Sequence, residues 1–210
     1  MRIQWIDQKD IIEKTEVKNR QDAIMQSSDL TPEQMIKKWS YLDYTKAKQL
    51  IKLIHYYVGN KFRGKGIELG AGTGLFSSIL IESGLQEIYA LEIVPAFTTH
   101  VIPKVAEYYL NHNSNNVIPV LGSFDDIHLP NDSIDFAFEY DAFHHSNDLS
   151  ITFNEIYKKL RPGGILIMVD RCHPDIITDE AIDKLLQKTY TKEFLNAHGY
   201  DENIILTRRE

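Results

Sequence analysis

Residues 66–76 read GIELGAGTGLF, and this stretch decides the fold. A short apolar segment is followed by a turn that holds Gly70, Gly72 and Gly74, and apolar residues then begin a helical pattern at about residue 75. Glycine adopts positive φ without steric cost and lets a ligand come close to the main chain. A glycine-rich turn between a strand and a helix therefore predicts a ligand site, although phosphate, dinucleotide and cationic ligands all remain open at this point.

Strand-like and helix-like segments alternate after residue 65. The strands are apolar on both faces, as in a parallel sheet that helices cover on both sides. Alternation of this kind predicts a doubly wound, mostly parallel α/β sheet, with residues 122–133 as a loop. The predicted strands span 66–69, 87–92, 117–121, 134–139 and 164–169, and the helices between them span 75–83, 96–111 and 149–160.

Two further helices are predicted before the first of these strands. Thr31 is a helix N-cap, Pro32 follows at the first helical position, and Gln34 completes a capping box. Residues 43–58 carry apolar side chains at helical spacing. Residues 1–30 are polar with little periodicity, and either a loose arm or an amphipathic helix lying on the body is expected there. We therefore expect an N-terminal arm and helical cap over residues 1–58 and an α/β domain over residues 59–210.

The net charge, the cysteine content and the length of the apolar stretches indicate which kinds of partner and compartment to expect. The chain has 210 residues, a formal net charge of -7 and a pI of about 5.6. A negative net charge does not favour a nucleic-acid partner, because binding to phosphates depends mainly on Lys and Arg. The single cysteine, Cys172, excludes an intramolecular disulfide, and no apolar stretch has the length of a membrane span. These features predict a cytoplasmic protein that associates with neither membrane nor nucleic acid.

Two acids help to identify the ligand of the glycine turn. The dinucleotide motif GxGxxG would require glycine where Leu75 stands, and the phosphate-loop motif is absent from the turn. Glu68, two residues before the first glycine, is expected at the mouth of the site, where it would repel a pyrophosphate but attract a cation by about 1 kcal/mol in water. Glu92 ends the second strand, where a carboxylate can bind both hydroxyls of a ribose. The pattern favours a nucleoside that carries positive charge.

These motifs together resemble the class I S-adenosylmethionine-dependent methyltransferase family. The ExGxGxG sequence of residues 68–74, the acid Glu92 and the LRPGGIL sequence at 160–166 carry the resemblance, which covers about residues 41–175. It implies a Rossmann-like fold, S-adenosyl-L-methionine as cofactor, S-adenosyl-L-homocysteine as product, and a small-molecule methyl acceptor. The cofactor-binding residues that it implies are Glu68, Gly70, Ala71, Gly72, Gly74, Glu92, Ile93, Ser123, Phe124 and Glu139.

Ser123 departs from the family pattern, because an acid that accepts from the adenine amino group is common at this position. The serine hydroxyl can still accept, or Asp125 can take over this contact. The tyrosines of the helical lead-in, such as Tyr41, are candidates for an aromatic contact with the sulfonium.

The segment EYDAFHHSND at 139–148 holds the candidate catalytic residues Asp141, His144 and His145. A histidine has a suitable pKa for proton transfer, but a base is required only if the acceptor must lose a proton. The alternative role for both histidines is packing or hydrogen bonding. No metal site is predicted, because the spacing of Cys172, His173 and Asp175 matches no zinc pattern.

The C-terminal part is short for this family. A full family sheet has seven strands, the last two in an antiparallel hairpin. A helix that begins at Thr178 and runs to about Leu186 leaves room for one short strand near residues 203–207. The hairpin is therefore expected to be incomplete, and an open sheet edge predicts a homodimer. Two other functions stay open: a catalytically silent module that binds a nucleoside or a partner, and, less favoured without GxGxxG, a nicotinamide oxidoreductase.

Overall fold

The computed structural model describes residues 3–7, 15–59, 62–146 and 148–170, together with residues 178, 180, 181, 184, 191 and 192. Within these residues the chain forms a six-stranded sheet in the order β1-β4-β3-β2-β5-β6, and every neighbouring pair of strands is parallel. The predicted doubly wound α/β fold is confirmed. The strands are β1 Ile3–Gln4, β2 Lys65–Leu69, β3 Glu87–Glu92, β4 Val117–Leu121, β5 Ile134–Tyr140 and β6 Leu160–Val169.

The last predicted strand is longer than expected. It begins at Leu160, which pairs with Ile134, and regular pairing resumes at Ile165 opposite Phe136. The intervening Arg-Pro-Gly-Gly segment interrupts the register, and Gly163 lies there at a φ of +81°. The predicted strand began only at residue 164. Pro and Gly weaken most strands, whereas here they form an irregularity inside one.

Side chains of the central strands alternate between two hydrophobic clusters. On β5, Phe136 and Phe138 belong to one cluster, whereas Ala137 between them belongs to the other. Both clusters are buried, which explains why the strands are apolar at almost every position. The sheet is therefore covered on both faces, and the site must lie at an end of the strands.

The helices agree closely with the predicted segments. The capping box at Thr31 and Gln34 is present, and the next helix begins after Asp43, whose carboxylate accepts from the backbone N–H of Lys46. A π-helical turn at Phe97–Val101 precedes α5. No helix in the described ranges is long and apolar enough to cross a membrane. The helices are α1 Thr15–Met25, α2 Pro32–Trp39, α3 Tyr44–Val58, α4 Leu75–Glu82, α5 Ile102–Leu110 and α6 Leu149–Lys159.

The first thirty residues form the helix that the sequence left open as an alternative to a loose arm, together with a strand that it did not predict. Strand β1 pairs with β4 at the sheet edge, and α1 lies against the body, with Val17 and Ile24 buried in its core. A strand of two residues has no detectable periodicity, so the pattern could not reveal it. At the other end, Thr178 accepts from the backbone N–H of Ala181 as a helix cap would. The predicted end of that helix and the strand near residues 203–207 lie outside the described residues.

Candidate functional site

A cavity lies at the carboxyl ends of the strands, where the strand order reverses. Strand β2 has β3 on one side and β5 on the other, and this reversal is the usual ligand position in open α/β sheets. The cavity has a volume of about 370 Å³, within the range of small-molecule sites. Its lining includes Arg20, Trp39, Ser40, Tyr41, Glu68, Gly70, Ala71, Gly72, Thr73, Phe76, Leu91, Glu92, Ile93, Phe97, Ser123, Phe124, Asp125, Tyr140, Asp141, Ala142 and His145.

The glycine turn requires its glycines for different reasons. Gly70, Gly72 and Gly74 all have positive φ, at +75°, +50° and +73°. A Cβ on Gly70 would lie 2.5 Å from the Cβ of Ala142, whereas a Cβ on Gly72 would meet no atom within 4 Å. Gly72 therefore borders open cavity. Gly74 does not line the cavity; it precedes α4, and a Cβ there would lie 3.0 Å from Ile102.

Glu92 is held at the cavity wall by backbone N–H groups. One carboxylate oxygen accepts from Gly72 at 2.8 Å, and the other accepts from Ile93 at 2.9 Å and Val94 at 3.0 Å. The side chain is mostly buried but lines the cavity. These bonds fix the orientation of the carboxylate before a ligand arrives, and they join the turn after β2 to the end of β3.

Glu68 lies deeper than the sequence suggested. Glu68 is only 2% exposed. Its Oε2 accepts two hydrogen bonds from Ser77, one from the backbone N–H at 2.7 Å and one from the hydroxyl. Burial raises the pKa of this carboxyl to about 8. Glu68 is therefore part of the cavity wall and not of its mouth, because its carboxyl group is bonded to the first turn of α4.

The residues after β4 line one end of the cavity. The hydroxyl of Ser123 accepts from the backbone N–H of Asp125 at 3.2 Å, and the ring of Phe124 packs edge-on against Phe143. The carboxylate of Asp125 accepts from the hydroxyl of Thr152, so one of its oxygens is already bonded. Ser123, Phe124 and Asp125 nevertheless all border the cavity.

The segment after β5 brings the candidate catalytic residues close to the end of β6. Asp141 and His145 line the cavity, whereas His144 does not. His144 is instead held by Asp170, whose carboxylate lies 2.8 Å from Nδ1 and accepts from the His144 backbone N–H at 2.9 Å. The imidazole rings of His144 and His145 are in contact, with centroids 4.2 Å apart. The structure therefore brings the three predicted residues together, but only two of them reach the cavity.

Glu139 lies behind the cavity wall. It is fully buried, and its Oε1 accepts from the backbone N–H groups of Ala142 and Phe143. Burial raises the pKa of this carboxyl to about 7. The sequence grouped Glu139 with the cofactor-binding residues, but its carboxyl group holds the turn after β5 and does not line the cavity.

Several lining residues belong to the N-terminal region, of which the sequence connected Tyr41, but not Arg20 or Ser40, with the site. Arg20 of α1 lies over the ring of Phe97, with 5.9 Å between the guanidinium carbon and the ring centroid. Ser40 follows α2, and its hydroxyl lies 2.7 Å from that of Thr73 in the glycine turn. Tyr41 also lines the cavity. Neither periodicity nor a motif marks Arg20, because its position depends on how α1 packs.

Several known proteins are similar in sequence to the part of the chain that forms the cavity. A family model described as a methyltransferase domain matches residues 67–168. The malonyl-[acyl-carrier protein] O-methyltransferase of Serratia marcescens is 25% identical over 118 residues, covering 52% of this chain and 42% of that protein. The corresponding enzyme of Yersinia pestis is 30% identical over 102 residues, covering 48% and 34%. The chain thus spans less than half the length of these curated relatives.

A solved structure agrees with this assignment. The crystal structure of a proposed sarcosine dimethylglycine methyltransferase from Galdieria sulphuraria superposes with a TM-score of 0.57 at 29% identity, covering 68% of this chain and 53% of that one. The matched family model starts within β2 and ends within β6, so it contains the glycine turn and the Glu68, Glu92 and LRPGG motifs. Residues 67–168 of the chain form a methyltransferase domain of the class I S-adenosylmethionine-dependent methyltransferase family.

Proposed function

We propose that this chain binds S-adenosylmethionine in the cavity and transfers its methyl group to a small-molecule acceptor. Glu92 carries the proposal, because its carboxylate is held beside the glycine turn in an orientation that suits the two hydroxyls of a ribose. The open space at Gly72 allows the ligand to approach the backbone. Ile93, Ser123 and Phe124, which border the same cavity, are the proposed adenine contacts.

The methionyl end of the cofactor carries an ammonium and a carboxylate, and the proposed site offers a partner for each. Glu68, Gly70, Ala71 and Gly72 line the part of the cavity next to α4, where a buried carboxyl group would meet the ammonium. Arg20 borders the cavity from α1, and a guanidinium binds carboxylates in a bidentate geometry. We assign Arg20 to the cofactor carboxylate, which makes the N-terminal helix part of the binding site.

Methyl transfer needs little from the protein beyond alignment. When bound, the cofactor supplies a methyl group already activated on a sulfonium, so holding the acceptor in line provides much of the rate. His145 and Asp141 line the cavity, and we assign to them the roles of orienting an acceptor or removing its proton. A hydroxyl or amine acceptor requires such a base, whereas a carboxylate acceptor does not.

The two curated relatives suggest an oxygen acceptor. Both are named as malonyl-[acyl-carrier protein] O-methyltransferases, so their methyl group goes to oxygen. For this chain we propose small carboxylic or hydroxy acids and their thioesters as the first acceptors to test. A nucleic-acid acceptor is disfavoured by the net charge of -7.

Two measurements test the proposal in order. Calorimetric titration should show saturable binding of S-adenosylmethionine and S-adenosylhomocysteine and none of NAD, and Glu92→Ala should weaken cofactor binding by about tenfold or more. Turnover of radiolabelled cofactor is then measured across carboxylic, hydroxy and amine acceptors. Binding without turnover of any acceptor would favour the silent binding module, and binding of NAD alone would refute the proposed function.

A further inference from the structure

Three side chains from two loops converge beside the cavity. Asp141 follows β5, His144 lies in the short helical turn Phe143–His145, and Asp170 follows β6. One ligand atom from each residue, the imidazole Nδ1 and one oxygen of each carboxylate, lies within 4.8 Å of the other two. Nδ1 is 2.8 Å from Oδ1 of Asp170 and 4.0 Å from Oδ1 of Asp141.

These distances suit ligands of a common metal ion. Ligand atoms about 2.1 Å from one ion lie about 3 Å apart in adjacent positions of an octahedron and about 4.2 Å apart in opposite positions. The observed separations of 2.8 and 4.0 Å are close to these two values. One imidazole and two carboxylates form a mixed nitrogen and oxygen set, which suits Mn²⁺, Fe²⁺ or Zn²⁺ better than Ca²⁺.

The surrounding groups orient this set. The backbone N–H of His144 donates to Oδ2 of Asp170 at 2.9 Å, which turns Oδ1 of the same carboxylate towards the imidazole. Bonds of this kind from a neighbouring shell commonly fix the ligands of a metal. The three side chains are 8–19% exposed, so an ion can enter from solvent and still be mostly shielded from water.

A fourth carboxyl group supports the presence of a cation independently. Glu139 is fully buried, and its Oε2 has no hydrogen-bond partner within the described part of the chain. The carboxyl groups of Glu139 and Asp170 interact directly, so they lie close together. A buried, unbonded carboxylate oxygen beside a second carboxylate is costly unless a proton or a cation compensates it.

We propose that Asp141, His144 and Asp170 bind one divalent transition-metal ion, with the carboxyl group of Glu139 beside it. The ligands come from two loops that are far apart in the sequence, so no local spacing predicts them. Asp141 also lines the cavity, which places the ion at the edge of the space where an acceptor would bind. Metal binding does not depend on the proposed function, because it is measured without cofactor or acceptor.

The test uses the full chain, stripped with a chelator and desalted. Titration with MnCl₂, followed by calorimetry and by the electron paramagnetic resonance signal of free Mn²⁺, should show one saturable site. Asp170→Asn and His144→Gln should each weaken Mn²⁺ binding by about tenfold or more. Asp126→Asn is the matched control, because Asp126 also pairs with a histidine, His128 at 2.9 Å, but is exposed and is not one of the proposed ligands. It should leave binding unchanged.

The expected competition is that Zn²⁺ displaces Mn²⁺ from the same site, because imidazole-containing sites generally bind Zn²⁺ more tightly. Circular dichroism establishes that each variant is folded, and Asp141→Asn provides a third ligand variant if one of the others does not fold. Absence of saturable Mn²⁺ and Zn²⁺ binding up to about 1 mM, or equal affinity in wild type and in all folded ligand variants, would overturn the proposal.

Discussion

One carboxylate oxygen of Glu68 accepts from both the backbone N–H and the hydroxyl of Ser77. Ser77 is the third residue of α4, and Gly74, which precedes this helix, has no side chain to cap it. Glu68 therefore bonds an N–H group that the first helical turn would otherwise leave unsatisfied. The same carboxyl group forms part of the cavity wall, so the stability of α4 and the charge of the site depend on one side chain.

Stability should fall as the pH rises from 5 to 8. Burial raises the pKa of Glu68 to about 8, far above the ordinary value of 4.5, so the folded state binds more protons than the unfolded state in this range. By linkage the free energy of unfolding then decreases with pH, by about 3 kcal/mol for this group. Glu139, whose pKa is raised to about 7, contributes in the same direction.

Chemical denaturation of the wild type at several pH values measures this slope. The glutamine of Glu68→Gln cannot ionise but can still accept from Ser77. The free energy of unfolding of this variant should therefore depend less steeply on pH than that of the wild type, and the remaining dependence should come from Glu139. A wild-type stability that does not change between pH 5 and 8, or a Glu68→Gln slope equal to that of the wild type, would contradict the assignment.

Cofactor binding should release a proton at pH 7. With a pKa of about 8, Glu68 is mostly protonated in the free protein, and a neighbouring ammonium group favours its ionised form. Calorimetric titrations in phosphate and in Tris, which differ in ionisation enthalpy, give the number of protons released. We expect a release in the wild type that is largely lost in Glu68→Gln. If the wild type and Glu68→Gln release the same number of protons, Glu68 does not bind the ammonium group of the cofactor.

The fold was predictable because its signals are local. Five strands and the helices between them follow from apolar runs, a capping box and one glycine turn, and each of these needs only neighbouring residues. Strand β1 was not predicted, because two residues are too few to show the alternation of apolar and polar side chains that marks a strand. Its pairing with β4 depends on contacts between distant parts of the sequence.

The site was only partly predictable, for a related reason. Motif residues such as Glu92 and Gly72 line the cavity because the end of a strand fixes their position. Arg20 could not be identified, because it reaches the cavity only through the packing of α1. The burial of Glu139 and the contact between His144 and Asp170 depend on how the loops after β5 and β6 pack against each other. The spacing of apolar residues along the sequence does not predict such a contact between loops.

Gly72→Ala should weaken cofactor binding far more than it weakens the fold. A Cβ on Gly72 meets no protein atom within 4 Å, and so it would occupy the space that we assign to the cofactor. Gly59→Ala is a matched control, because Gly59 also has positive φ, +63°, and open space around a Cβ, but it ends α3 away from the cavity. Both variants should lose about 1 kcal/mol of stability from the strained φ.

Calorimetry and thermal denaturation of the two alanine variants separate these effects. Cofactor affinity should fall by about tenfold or more in Gly72→Ala and stay close to wild type in Gly59→Ala. If the two variants bind the cofactor equally well, the glycine turn is not a contact surface for the ligand.

Arg20→Gln should weaken binding only of ligands that carry the amino-acid carboxylate. The guanidinium lies at the cavity, over the ring of Phe97, and the assignment pairs it with that carboxylate. We expect the affinity for S-adenosylhomocysteine to fall by about tenfold, equivalent to about 1.4 kcal/mol. The affinity for 5′-methylthioadenosine, which has the nucleoside but no amino-acid group, should remain within about twofold of wild type because Glu92 and Ile93 are unchanged. A similar loss for both ligands would mean that Arg20 supports the cavity as a whole through the packing of α1.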